Sequence, residues 1–315
     1  MRGLHLIPAG INLSFIPKHK LFFVFSVILA VASIGLFAAK GLNYGIDFKG
    51  GILIEVRSSE AADIGAMRDQ LASLELGEVA LQEFGAPTDV LIRVQRQEGG
   101  EKAQQVAVEA VKAALGTGID YRRTEFVGPK VSAELFMDGL IAVGLAILAI
   151  LVYIWFRFEW QFGLGAVVAL THDVISTIGI FAVMGLEFNL STVAAILTIA
   201  GYSINDTVVV YDRVRENLRK FKTMPLAELL NNSVNQTLSR TVITSLTTLI
   251  ALLSLYFLGG AVIRDFSFAM IWGVIIGTYS SICLAVPLLL YFNIARRGGV
   301  AGGDEAEEDA AEPAT

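Results

Sequence analysis

Asp206 ends the string "GYSIND" inside an apolar run, where a carboxylate has few uses beyond binding a proton or pairing with a cation. A charge at the bilayer centre costs roughly 2.5 to 3.5 kcal/mol on insertion scales, so it needs a partner or a water-lined cavity. Ser191, Thr198, Gly201, Tyr202 and Asn205 recur around it at helical spacing. Such a stripe of small and hydrogen-bonding residues faces another helix, and Gly201 allows close approach. Further along, Thr237, Arg240, Thr241, Thr244 and Thr248 form a second stripe at three- and four-residue steps. If the two segments run in opposite directions, Asp206 and Arg240 reach similar depth and pair, which lets the carboxylate ionise in a low dielectric. Protonation of Asp206 then releases Arg240, and Thr244, one turn away, can receive the guanidinium or hold a water. That is a two-state switch.

A third group lies in "THDVIST", which puts His172 and Asp173 near mid-membrane. His172 shares a small and polar face with Gly165, Ala169, Ser176 and Gly179, and serves either packing or a proton path. Asp173 points about 100° away around the helix and needs a partner, one that this chain need not supply. Plainer readings stand beside these. Asp206 would be a solvated interfacial residue close to Asp212 and Arg213, Arg240 an anchor at the membrane surface, and Ser191, Thr198 and Tyr202 packing residues, with Asn205 fitting either account.

The elements that must position these groups follow from composition. The chain has 315 residues, 54% of them hydrophobic and 17% charged, with a mean hydropathy of +0.62. Six apolar segments are long enough to span a bilayer: 21–39, 135–156, 162–184, 190–210, 242–258 and 266–292. The first follows Lys18 and Lys20 but is too long for a cleaved leader, so it reads as a retained helix. Gly273 and Gly277 in the last form a GxxxG pattern suited to helix packing. Lys and Arg gather in 1–20, in a loop at 211–240 and after the sixth span, which places both termini and that loop in the cytoplasm. Residues 303–315 hold six acidic residues and no cation, enough to account for the formal net charge of −6. With the glycines before it, the tail at 293–315 reads as disordered and solvated.

Residues 40–134 form the one outer domain. "GILIEVRSS" reads as a strand, 61–74 as a helix, "EVALQEF" and "DVLIRVQ" as a strand pair separated by Gly85, Pro87 and Asp89, 101–115 as a helix and "IDYRRTEFV" as a last strand. The order βαββαβ is that of a ferredoxin-like α+β unit. This segment has no His or Cys, and its charges alternate in sign, so it suits a binding surface better than a catalytic or metal site. No metal or cofactor is expected anywhere in the chain, and no phosphate-binding loop is present. Cys283, the single cysteine, excludes an intrachain disulfide and suits packing.

Three other classes compete with a membrane protein built around a proton switch. Asp173 and Asp206 on adjacent spans could make an intramembrane aspartyl protease dyad, but such enzymes carry GxGD where this chain has "SIND". A small-molecule exporter would need two half-bundles in one chain, and a passive scaffold would leave Asp206 and Arg240 structural.

"GIDFKGG" at 45–51, "VGPKVSAEL" at 127–135, "ALTHD" at 169–173, "IAGYSINDTVVVYDRVRENLRK" at 199–220 and "TLSRTVITSLTTL" at 237–249 closely resemble the SecF family of bacterial protein-export membrane proteins. The likeness covers nearly all of the chain except the acidic tail. It implies half of a resistance-nodulation-division (RND) type bundle, six helices with a periplasmic domain between the first two, in the bacterial inner membrane. The other half would come from SecD. The resemblance further implies work with the SecYEG channel on an exported preprotein, alongside YajC and YidC, with no enzymatic activity, no nucleic acid and protons as the coupling ion. It maps the proton pathway to Asp206, Arg240 and Thr244; His172, Asp173, Asn205 and Tyr202 are supporting polar residues by the residue reading above, not by the resemblance. The outer domain would help to capture or pull the emerging polypeptide.

Overall fold

In a computed structural model of the chain, residues 12–116, 118–260, 263–292 and 294 are described. The expected acidic tail lies outside them, apart from Ile294.

A 3-10 turn at Ile16–Lys18 leads into α1 (His19–Lys40), the first spanning helix. The chain then makes β1 (Asn43–Tyr44), one turn of α2 (Ile46–Lys49) and the outer domain. This domain comprises β2 (Gly51–Ser58), α3 (Ile64–Ala72), β3 (Val79–Phe84), β4 (Ala86–Val94), α4 (Glu101–Leu115) and β5 (Ile119–Val127). The sheet runs β3-β4-β2-β5 with every neighbouring pair antiparallel, which is the ferredoxin-like arrangement read from the sequence. Alternating residues of the central strands, Ile52, Ile54, Val56, Val90, Ile92 and Val94, are buried with Met67 and Leu71 of α3 and Val111 of α4. Two elements differ from expectation. α3 is shorter than 61–74, with Asp63 as its cap accepting from Ala66 N–H. The hairpin between β3 and β4 is tighter than the sequence suggested: Gly85 at φ +87° makes the turn alone, and Pro87 and Asp89 fall within β4.

Spanning helices α5 (Pro129–Arg157), α6 (Trp160–Met184), α7 (Leu190–Lys220), α8 (Leu226–Leu258) and α9 (Arg264–Ser280) complete the bundle, with β6 (Glu187–Phe188) between α6 and α7. The sixth span continues past α9 through a π turn at Ser281–Ala285, a short α10 (Val286–Leu288) and a final 3-10 turn. Pro287 cannot donate to the preceding turn, and Tyr211 of α7 donates its hydroxyl to the Ala285 carbonyl at 3.1 Å, satisfying a backbone group where the helix departs from regularity. α6, α7 and the sixth span bury half or more of their apolar windows, whereas α1, α5 and α8 leave most of theirs exposed, as helices facing lipid do. The expected loop at 211–240 is helical except for 221–225, because α7 and α8 run on beyond the apolar segments. Their extensions are joined by Asn217, which donates to Ser233 and Gln236. On this same side Asn231 and Asn235 receive the backbone N–H groups of Leu13, Phe15 and Ile16.

At the opposite end, the outer domain is tied to the bundle. β1 pairs in parallel with β6, Arg93 of β4 pairs with Glu187, and Asp47 accepts the N–H of Leu190 at 2.9 Å, capping α7. "GIDFKGG" is explained by this junction. Gly50 and Gly51 sit at φ +70° and +130°, and a side chain at Gly51 would meet the Val94 carbonyl at 2.7 Å.

Candidate functional site

α7 crosses α9 closely because α9 presents Gly273 and Gly277 there. Ile199 packs over Gly273, and a Cβ at Gly277 would lie 3.2 Å from that of Ser203. The GxxxG pattern therefore serves packing. This contact brings the polar faces of α6, α7, α8 and the sixth span together in the bundle interior.

Asp206 is 8% exposed. One carboxylate oxygen accepts the hydroxyl of Thr241 on α8 at 2.7 Å, and the other accepts that of Ser281, the first residue of the π turn. The solvated interfacial reading of Asp206 does not hold. The expected pair with Arg240 is also absent: the guanidinium is exposed and makes no ion pair among the described residues, although it lies near enough to act on Asp206 through space. The reason is helix rotation. On α8 the residue facing Asp206 is Thr241, which leaves Arg240 and Thr244 on the exposed side. Thr244 donates its hydroxyl to backbone carbonyls of Arg240 and Thr241 on its own helix.

Asp173 has no exposed surface, and its partners lie within this chain. Ser203 of α7 and Ser280 of α9 donate to one carboxylate oxygen at 2.6 and 2.7 Å, and His172 Nδ1 is 3.1 Å from the other. Asp173 and Asp206 each keep a separate set of hydroxyl partners, an arrangement unlike a carboxylate dyad. His172 sits against Tyr279, with ring centroids 6.2 Å apart. The hydroxyl of Tyr202 bonds Ser245, which in turn bonds Thr278. Asn205, with Thr198 and Gly201, lies on an exposed face of α7, not in the packed interior expected for that stripe. Of the four hydroxyls that hold the carboxylates, that of Thr241 belongs to the stripe read on α8, whereas those of Ser281, Ser203 and Ser280 were not singled out. For Ser280 and Ser281, two consecutive serines inside an apolar span were the available signal.

At the outer rim Arg93 reaches Glu187, Asn43 and Gln82. Burial raises the Glu187 carboxyl above the usual carboxylate range; Arg93 draws it back, and Asp265 and Asp47 add to the rise.

A ferredoxin-like domain carried on six helices long and apolar enough to span a membrane, with Asp173 and Asp206 buried between those helices, defines a polytopic membrane protein. Residues 107–295 match the family described as protein export membrane protein SecD/SecF, C-terminal, and residues 35–62 match the SecD/SecF GG motif. Protein translocase subunit SecF of Cereibacter sphaeroides is 48% identical over 304 residues, covering 94% of each chain. The subunit of the same name from Rickettsia felis is 46% identical over 293 residues, covering 92% of this chain and 94% of that one. The crystal structure of SecDF, a translocon-associated membrane protein from Thermus thermophilus, superposes with a TM-score of 0.82 at 37% identity. That match covers 90% of this chain and 39% of the longer SecDF chain. The chain belongs to the SecD/SecF family of protein-export membrane proteins, on its SecF side.

Proposed function

We propose that this chain works with a SecD partner in the inner membrane, using the proton motive force to promote late translocation and release of exported proteins through the SecYEG channel. Asp206 binds and releases the proton, and the outer domain moves in response. The observation that carries this reading is Asp206 itself: a buried carboxylate held by hydroxyls from two other helices, so that its ionisation state sets contacts among α7, α8 and the sixth span. Arg240, without an ion pair among the described residues and close to Asp206, is the cation to approach when the carboxylate is ionised, and Thr244 lies one turn beyond it. An exposed polar face formed by Thr198, Gly201 and Asn205 on α7 with Arg240, Thr244 and Thr247 on α8 is costly against lipid and fits a second half-bundle. SecD would supply that half, and YajC and YidC would be further neighbours. Both termini would then be cytoplasmic and the α+β domain periplasmic, facing the emerging preprotein. The tie between Arg93 and Glu187 and the β1-β6 pair would pass bundle motion to that domain.

The energy is of the right size. One charge crossing 100 mV yields roughly 2.3 kcal/mol, and moving a two-state equilibrium from 1:99 to 99:1 takes about 5.5 kcal/mol. One or two protons, with a pH gradient added, come near this without ATP.

Asp206→Asn tests the reading in cells. The variant is expected to co-purify with SecD and the channel yet fail in proton-dependent export of a secreted protein. Normal export would remove the coupling role, and loss of the complex would make Asp206 a structural residue.

A further inference from the structure

The His172–Asp173 pair is a second buried polar centre, which the scheme above does not use. Asp173 is fully buried and surrounded by donors from three helices: Ser203 on α7 at 2.6 Å, Ser280 on α9 at 2.7 Å and its own neighbour His172 on α6 at 3.1 Å. His172 is 5% exposed, and its Nε2 has no hydrogen-bond partner among the described residues. Buried ring nitrogens are rarely left unmatched without a role.

We infer that His172 and Asp173 together bind one exchangeable proton, as a second proton site joined to Asp206 through the consecutive serines Ser280 and Ser281. The inference rests on the reading of Asp206 as a proton carrier and extends it inward. In one state His172 is neutral, with its proton on Nδ1 directed at Asp173, and both serine hydroxyls donate to the other oxygen; the pair carries a single negative charge facing three donors. In the other state an added proton occupies Nε2, and the pair is neutral overall. Only an N–H bond forms or breaks, so every donor to Asp173 keeps its place in both states. Imidazole suits this task, since its ordinary charge change falls within the physiological pH range.

The connection to Asp206 is covalent and short. Ser280 donates to Asp173 and Ser281 to Asp206, so adjacent residues hold the two carboxylates. Ser203, the other donor to Asp173, precedes Asp206 by less than one turn of α7. The π turn begins at Ser281, and single π turns within α-helices are places where a helix can change register. A change of hydrogen bonding at Asp206 therefore moves the backbone that holds Asp173. The titratable group facing the pair from α9 is Tyr279, with Cys283 near it, and on α7 the nearest along the chain is Asp206, three residues after Ser203. α1 brings Ser26, bonded to Tyr279, and has no titratable residue between Lys20 and Lys40.

The test uses the full chain, assembled with its partner in lipid and labelled with 15N in its histidine rings. The chain has three histidines, His5, His19 and His172, so His172→Gln identifies the signal. The expected result is a single titration step at the His172 ring, whose midpoint moves in Asp206→Asn and in Ser280→Ala, while the His19 signal stays in place and reports an intact fold. Should Asp206→Asn fail to assemble, Ser281→Ala carries the same comparison. A His172 ring that does not titrate, or a midpoint indifferent to both Asp206→Asn and Ser281→Ala, overturns the proposal. Loss of export in Asp206→Asn with an unmoved His172 would overturn this proposal alone. A titrating, coupled His172 with normal export in Asp206→Asn would instead overturn the export reading and leave the second site standing.

Discussion

Asp206 is held by two hydroxyls, and each can be removed separately. Thr241→Val and Ser281→Ala each take one donor from a buried carboxylate, an unmet need worth about 1 to 3 kcal/mol. Since 1 kcal/mol is about a factor of five, proton-driven export is expected to slow about fivefold or more in each variant and to recover in Thr241→Ser, which restores the donor. Export rates equal to those of the parent would mean that the hydroxyls only fill space. Asp206 itself was legible in the sequence, because a carboxylate in an apolar run stands out against its insertion cost. Its partners were not. Arg240, Thr241 and Thr244 share one stripe, and the rotation of α8 that turns Thr241 inward is set by packing against α7 and α9, which no local spacing encodes. Asp173 likewise announced its need for a partner, but only the glycine-mediated approach of α9 to α7 shows that Ser280 and Ser203 meet that need.

Helix crossings and the domain junction belong to the next scale. Gly273→Leu would drive a side chain into Ile199, where overpacking costs typically about 1 to 3 kcal/mol. Its thermal unfolding midpoint in detergent is expected to drop, with no effect on the outer domain's own fold. At the junction, the raised Glu187 carboxyl gives a signed pH dependence. Below the ordinary carboxylate range Glu187 is neutral whether docked or free, and its contribution to docking is fully present. As pH rises through its raised value, the docked state must accept a buried charge and that contribution is lost. Docking through Glu187 thus tightens on acidification. Exchange of the Gly45 amide, which donates to the Phe188 carbonyl, is expected to slow at lower pH after correction for intrinsic rates, and Glu187→Gln is expected to flatten this response. The strands of the outer domain were readable because their apolar residues alternate with period two. The extensions of α7 and α8 were not, because hydropathy marks where lipid ends and an amphipathic helix continues past that point. The β1-β6 pair, two residues long on each side, is too short to carry a pattern.

As a whole, the molecule is a half-bundle with one side unfinished. A Cβ at Gly201 would touch nothing within 4 Å, and Asn205 and Arg240 lie on the same open side. Gly201→Leu is therefore expected to leave the thermal stability of the isolated chain unchanged and to reduce its co-purification with SecD; an undiminished complex would place the partner elsewhere. The six spans and the single outer domain could be read from hydropathy and length, but which faces remain open could not, since a polar stripe looks alike whether its partner is in the same chain or another. The central claim, that a proton at Asp206 drives export, is tested most directly in vesicles containing the assembled complex, by measuring completion of translocation with and without an imposed proton gradient. The gradient is predicted to accelerate completion with the parent chain and to have no effect with Asp206→Asn in an intact complex; equal acceleration in both would contradict it.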